Sequence, residues 1–360
     1  MTTGKNVKIT KLRSEIDRVD AQMLALAKRR FDMVEGIAAA KRASGMATKD
    51  EKREAQVLQS WRDNASRLGL PRDLADEILA SVLKHSNRMQ VSESPEKVML
   101  VGYGAMADAL AMALRTGGHD VYVTGRNMAK ARRFARRLGI KASSSVLKPF
   151  CRHVVLCLPP DAISGSEGAE TIKGMRGRII YDILSSKSSD AIAALRLAAD
   201  RIGFDYVSMH PLFGPGSAGK SLGLKIAAIP VSASQKAMEE ASALWRSVGM
   251  DFVGTTIEEH ERAMAIVQVL RHMYSIAFYR SVNALSGILG RGYERLATDN
   301  FESMLKSASS IASQEWVARE IAELNPYSGS VFREGKRQMG LYIKGMKVAP
   351  RGKRPRLCQD

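Results

Sequence analysis

Ile9, Leu12, Ile16, Val19, Met23, Leu26 and Ala27 recur three and four positions apart, with no proline before Pro71. That period belongs to an α-helix with one apolar stripe. It predicts a helix from near Lys8 to near Ser44, where Ser44-Gly45 supplies a stop. A second helix opens around Thr48, and a third follows Pro71-Arg72-Asp73, where proline suits the first helical turn. The pattern then changes. Val91-Ser92-Glu93-Ser94-Pro95-Glu96 is a polar break, and Lys97-Val98-Met99-Leu100-Val101 is a short apolar run of the kind a buried strand makes. Further strand-like runs at 120–124, 153–158 and 179–182 follow, with an apolar helix after the first run. This alternation predicts an α/β unit. From about Glu258 to Leu324 the period is helical again.

At 360 residues the chain has room for two or three domains, and a hydrophobic share of 45% is ample for their cores. No run of 18 apolar residues occurs, so no membrane span is expected. The N-terminal stretch lacks an apolar signal core. Cys151, Cys157 and Cys358 form neither a disulfide framework nor a zinc pattern, which favours a reducing cytoplasm and implies no metal. A formal net charge of +18 admits nucleic acid or anionic substrates as partners. The basic residues are spread along the chain. Only 344–356 clusters them, and that segment reads as a flexible end, so nucleic acid is not the expected partner.

Charge placement on the first helices is more specific. Arg30 and Lys41 are 11 residues apart and share a helix face. Arg13 lies 17 residues before Arg30, which is roughly 25 Å along the axis. A ligand the size of a benzoate cannot touch both in one chain. Either Arg13 is a surface residue, or it reaches a ligand held by a second copy. Asp50 and Glu54 are four apart with Arg53 beside them, and Ser86 and Gln90 are again four apart. A solvated helix surface explains any one of these charges. As a set, with Met33, Val34 and Ile37 alongside, they read as a cage for a small dianion.

The α/β unit opens with Gly102-Tyr103-Gly104-Ala105-Met106-Ala107 between strand and helix, the G-x-G-x-x-A dinucleotide fingerprint in its proper context. Its glycines let the backbone approach a pyrophosphate at a helix N-terminus; the alternative is a plain βα turn. The second strand ends Val123-Thr124-Gly125-Arg126-Asn127, without the acid that usually holds the ribose hydroxyls of NAD. Arg126, followed by Lys130, Arg132 and Arg133, suits a 2′-phosphate, so NADP is expected over NAD. Further on, the run at 179–182 leads into Leu184-Ser185-Ser186-Lys187, and Val207-Ser208-Met209 leads into His210-Pro211-Leu212-Phe213-Gly214-Pro215. A His-Pro step after a strand, inside a glycine-rich loop, is expected to expose an imidazole as a base for hydride chemistry.

Two resemblances follow from these residues. Residues 12–90 resemble the all-helical class of chorismate mutase, through the Leu-Arg opening, Asp20, Arg29-Arg30, Ala40-Lys41, Asp50-x-x-Arg53-Glu54 and Ser86-x-x-x-Gln90. The resemblance implies that Arg13 from a partner chain, Arg30 and Arg53 hold two carboxylates. It places Lys41 and Gln90 at the ether oxygen, and Asp50, Glu54 and Ser86 at the ring hydroxyl and nearby polar groups. A Claisen rearrangement needs neither nucleophile nor proton transfer; it needs a compact conformer and fixed positive charge.

Roughly residues 97–340 resemble prephenate dehydrogenase, through His210-Pro-Leu-Phe-Gly-Pro, Asp182-x-x-Ser185-x-Lys187, and Glu259-His260-Glu261 leading to Gln268-Val-Leu-Arg-His272. This implies that His210 accepts a proton, Ser185 hydrogen-bonds near the same hydroxyl, and Gln268 and His272 line the pocket. The family's carboxylate-binding arginine is replaced by Lys306, which keeps the charge but not the bidentate fork. Arg271 is placed to compensate, or arogenate, the amino analogue, is the substrate.

The expected architecture is multi-domain. An all-α mutase domain of three helices, forming an intertwined dimer, is followed by an α/β Rossmann domain and an α-helical dimerisation domain. The expected limits are 1–92, a linker at 93–96, 97–255, 256–343 and a basic tail at 344–360. The expected partners are chorismate, prephenate and a second copy, with no membrane. A mutase fused to an arogenate dehydrogenase, and a ligand-sensing protein with a degenerate mutase fold, are the alternatives.

Overall fold

The computed structural model describes residues 2–43, 51–89, 95–217, 223–290 and 292–346. Two units emerge from the density of internal contacts: Met1–Leu184 with Ala193–Gly254, and Ser185–Ile192 with Thr255–Asp360.

The first unit begins with three helices, α1 (Thr2–Ala43), α2 (Glu51–Arg67) and α3 (Arg72–Met89). The first starts earlier than Lys8, although Thr2, Thr3, Asn6 and Val7 are weak helix formers and Gly4 costs about 1 kcal/mol relative to alanine. A tight turn joins α2 to α3. Gly69 takes a φ of +67°, and the N–H groups of Leu68, Gly69 and Leu70 return to the last carbonyls of α2. Ala65, Ala75 and Leu79 are buried at this corner, and Val34 is buried on α1. Arg62 clamps Asp76 bidentately at 2.8 and 2.9 Å. The stripe that predicted α1 is otherwise uncovered: Ile9, Leu12, Ile16, Val19, Met23 and Leu26 are all exposed.

Beyond the break the apolar runs become strands: β1 (Lys97–Val101), β2 (Asp120–Thr124), β3 (Lys141–Ala142), β4 (His153–Leu156) and β5 (Ile179–Asp182). They are followed by β6 (Asp205–Pro211), β7 (Lys225–Ser232) and β8 (Asp251–Gly254). The sheet order is β3-β2-β1-β4-β5-β6-β7-β8. It is parallel through β6; β7 runs antiparallel to β6, and β8 parallel to β7. Its helices are α4 (Ala105–Thr116), α5 (Met128–Leu138), α6 (Pro160–Ser164), α7 (Ser166–Ile172), α8 (Asp190–Ile202) and α9 (Gln235–Ser247). Helix-covered faces explain why Val98, Met99 and Leu100 are consecutive and all fully buried. Each such side chain contributes about 2 kcal/mol. Several buried polar groups in this core are paired. His119 accepts from the Glu96 N–H at 3.1 Å and donates to Ser247 at 2.7 Å. His153 lies 2.7 Å from the Tyr181 hydroxyl, and Trp245 stands edge-on to Tyr181.

The second unit is helical: α10 (Ile257–Met264), α11 (Arg271–Leu289), α12 (Asp299–Ala312), α13 (Glu315–Leu324) and α14 (Ser328–Gly345). Thr256 and Glu259 form a reciprocal capping box at the start of α10. Between α10 and α11 one widened π-helical turn spans Ala265–Leu270. The helical pattern read from about Glu258 to Leu324 is thus divided into several helices, with a break at Gly290, where φ is +87°. Lys344 and Gly345, expected in a flexible tail, close α14; residues 347–360 lie outside the described residues.

Two candidate active sites

The first site lies on the opening helices. The Arg30 guanidinium projects from α1 and donates to the Ser86 hydroxyl on α3 at 2.5 Å. Ser86 is buried and donates to the Val82 carbonyl at 2.8 Å, so its lone pairs face the arginine. Partial burial lowers the Arg30 pKa, yet a guanidinium stays charged under all ordinary conditions. Two residues separated by 56 positions thus meet across two helices. Arg53 is exposed on α2 and reaches Gln56 at 3.5 Å. Arg13 is exposed on α1, well removed along the helix from Arg30. Of the apolar neighbours only Val34 is buried; Met33 and Ile37 are exposed, so one chain does not enclose the cations as expected. Asp50 and Gln90, and the side chains of Lys41 and Glu54, lie outside the described residues.

The second site begins at the end of β1. Gly102 holds a φ of +113°, and a Cβ there would fall 2.3 Å from the Cys157 carbonyl oxygen at the end of β4. No other residue type fits. Gly104 caps α4 in an extended conformation, with open space where a Cβ would stand. Ala107 is fully buried in α4, and Met106 packs against the same core. This is a cradle that a pyrophosphate fits: bare backbone at the N-terminus of a 12-residue helix. Tyr103 lies over the end of β2. Its hydroxyl accepts from the Asn127 N–H at 3.3 Å, and its ring stands 2.8 Å from where a Gly125 Cβ would be. Arg126 is exposed at this turn, and Asn127 caps α5 through the Lys130 N–H.

His210 departs from expectation. It lies within β6 rather than in a loop, pairs with Ala227 of β7, and is 3% exposed. The antiparallel partner β7, absent from the sequence reading, carries β6 through the His-Pro step. At the end of neighbouring β5, Asp182 accepts from the Leu184 N–H at 2.9 Å and from the Tyr206 hydroxyl at 2.7 Å. That buried carboxylate fixes where the chain leaves the strand.

In the helical unit, Gln268 sits on the π-helical turn, a feature often found at functional positions. His272 follows on α11, and its Nδ1 is buried without a hydrogen-bond partner among the described residues. Burial, and then the Arg271 charge, lower its pKa, so the ring is neutral at physiological pH. With Val269, Met273, Ile276 and Phe332 it lines a cavity of about 440 Å³. Lys306 is exposed on α12, and Arg271 reaches the adjacent Ser307 hydroxyl at 3.3 Å. Ser185 is half-buried, while Lys187 is 2% exposed. Glu261, quoted above only as part of a motif and given no role, is a buried acid here. This carboxylate is 2% exposed and accepts from the Lys187 N–H at 2.5 Å and from the Asn325 amide at 2.9 Å. No grouping of His, Cys, Asp and Glu suited to a metal occurs among the described residues. No helix among them is long and apolar enough to cross a membrane.

A three-helix domain, joined to a Rossmann-type domain and a helical domain, defines a fused enzyme whose second half is a nucleotide-dependent oxidoreductase. Comparison with known proteins agrees. Residues 12–91 match the family of type II chorismate mutases, and residues 97–186 match the family described as "NADP oxidoreductase coenzyme F420-dependent". The chain is similar to the T-protein of Enterobacter agglomerans, at 26% identity over 281 residues, covering 75% of this chain and 69% of that one. Its fold resembles a prephenate dehydrogenase from A. aeolicus in complex with hydroxyphenyl propionate and NAD+. That match has a TM-score of 0.53 and 18% identity, over 70% of this chain and 91% of the other. It also resembles an arogenate dehydrogenase from Synechocystis, with a TM-score of 0.51 and 18% identity, over 69% and 92% of the respective chains. The chain is a bifunctional protein of the chorismate mutase and prephenate dehydrogenase type, with an NAD(P)-dependent second domain.

Proposed function

We propose that this enzyme rearranges chorismate to prephenate and then oxidises prephenate, with loss of CO₂, to 4-hydroxyphenylpyruvate. The observation that carries the first half is the Arg30–Ser86 hydrogen bond, a half-buried cation aimed at a buried hydroxyl across two helices. In this reading Arg30, Arg53 and Arg13 of a second copy hold the carboxylates of chorismate. Lys41 and Gln90 stabilise the ether oxygen as its bond breaks, and Asp50, Glu54 and Ser86 orient the ring. The uncovered stripe of α1 supports a dimer, because six large apolar side chains in a row would otherwise face water. In the helical unit Ile288, Leu289, Leu296 and Trp316 are uncovered in the same way.

For the second half, Gly102, Gly104 and Ala107 would hold the dinucleotide, with Tyr103 and Met106 beside it. Arg126 would favour NADP through its 2′-phosphate. When bound, the nicotinamide ring supplies the hydride acceptor. His210 takes the proton of the ring hydroxyl, Ser185 hydrogen-bonds the same oxygen, and Gln268 and His272 line the substrate pocket. Lys306, or Arg271 through its neighbour Ser307, meets the side-chain carboxylate. Because lysine offers a point charge in place of a fork, arogenate is the second reading. The test is ultraviolet loss of chorismate without cofactor, followed by NADP+ reduction with prephenate and with arogenate. A chorismate rate no higher than the spontaneous one would overturn the mutase assignment and favour a ligand sensor. Reduction with arogenate alone would select the second reading.

A further inference from the structure

Glu261 is a buried acid that the proposed chemistry leaves unused. Every polar group known to face it is a donor or an imidazole nitrogen. The Lys187 N–H donates to Oε1 at 2.5 Å, and His260 Nδ1 lies 3.3 Å from the same oxygen. The Asn325 amide donates to Oε2 at 2.9 Å and to the Glu261 carbonyl at 2.8 Å. Asn325 in turn accepts from the Tyr327 N–H at 2.9 Å, at the corner between α13 and α14. One carboxylate therefore joins three segments: the 185–189 loop, the helix α10 and the corner at Asn325. Within the loop, the Ser186 hydroxyl accepts from the Ser188 N–H at 3.3 Å, so the backbone beyond Lys187 is held as well. Burying a charge is costly unless its lone pairs are filled, and here both oxygens are engaged. That cost makes sense if the loop's position matters.

We propose that Glu261 is a positioning residue for the dehydrogenase reaction, locking the loop so that Ser185, two residues before Lys187, presents its hydroxyl to the substrate. This rests on the role given to Ser185 above. A carboxylate is acceptor-only, whereas a glutamine carries one acceptor and one donor. In either orientation Glu261→Gln turns an N–H toward another N–H, at Lys187 or at Asn325. The variant keeps the volume of the side chain and loses the lock.

The experiment is a double-mutant cycle of Glu261→Gln and Ser185→Ala in the full chain, reading NADP+ reduction by prephenate, with mutase turnover as the measure of folding. Glu261→Gln alone should lower kcat about 30-fold with KM and mutase turnover little changed, the scale of a misplaced catalytic group. On the Ser185→Ala background the same change should cost less than about threefold, because both act through one hydroxyl. Equal costs on both backgrounds would overturn the proposal, as would an unchanged kcat. Amide hydrogen exchange of the wild-type enzyme provides an arm independent of any variant. The Lys187 amide should be strongly protected, and exchange at open-loop rates would overturn the proposal even if Glu261→Gln fails to fold. If wild-type enzyme reduces NADP+ with neither prephenate nor arogenate, the dehydrogenase reading fails first, and this arm identifies that outcome.

Discussion

The opening helix and the central sheet use their apolar residues in opposite ways. In β1, Val98, Met99 and Leu100 are sealed within one chain. On α1, Leu12, Ile16, Val19 and Met23 are as regular in sequence and are left open. The sheet finishes its core and its dinucleotide cradle alone. The helix presents half of each: one covered valine, one arginine paired to Ser86, and another, Arg13, far along the axis. In the proposed function a single chain is thus a complete scaffold for a cofactor and an incomplete one for chorismate.

That contrast breaks most sharply at the two sites' own residues. Arg30→Ala should cost the mutase about a thousandfold, since fixed charge supplies most of its catalysis, and leave NADP+ reduction within about twofold. His210→Asn should do the reverse, on the scale of about a thousandfold for a lost general base. Equal loss of both activities in either variant would mean one shared site.

A smaller effect tests the sealed interior. Burial pulls His153 from 6.5 down to about 4. Below pH 6.5 the unfolded imidazole takes up a proton that the folded one refuses, so stability falls as pH drops toward about 4. The full loss is about 3 kcal/mol, from 1.36 kcal/mol per pKa unit. Denaturation midpoints across that window measure it, and His153→Gln should flatten the slope. Next comes Gly102→Ala, whose added methyl strikes the Cys157 carbonyl; it should weaken NADP+ binding about a hundredfold, read by titration, with the mutase unaffected. The smallest effect is expected of Arg126→Ala, which should shift the ratio of kcat/KM for NADP+ over NAD+ about tenfold toward NAD+. A wild-type enzyme that already prefers NAD+ would remove the role given to Arg126.

Legibility in the sequence followed local physics. β1, β4 and β5 were legible because strands buried on both faces read as largely apolar runs. The three opening helices were legible by period, and the fingerprint by its glycines. β7 was not, because Pro230 stands inside it; the proline pairs with Val207 beside a register shift in β6. Without β7, His210 looked like a loop residue. The π-helical turn at Ala265–Leu270 falls in an almost wholly apolar run, where a shift in helical period leaves no sequence mark. Glu261 was legible only as part of a motif, without a role, because its partners, Lys187 and Asn325, are distant in sequence. Only tertiary contact makes it buried.

In the proposed function the mutase site is completed by a second chain. Arg13→Ala and Arg30→Ala chains, each inactive alone, should be mixed after unfolding and refolded together. If Arg13 acts across the dimer, random pairing gives heterodimers with one intact site, restoring about a quarter of normal mutase turnover. No recovery in verified heterodimers would contradict the claim.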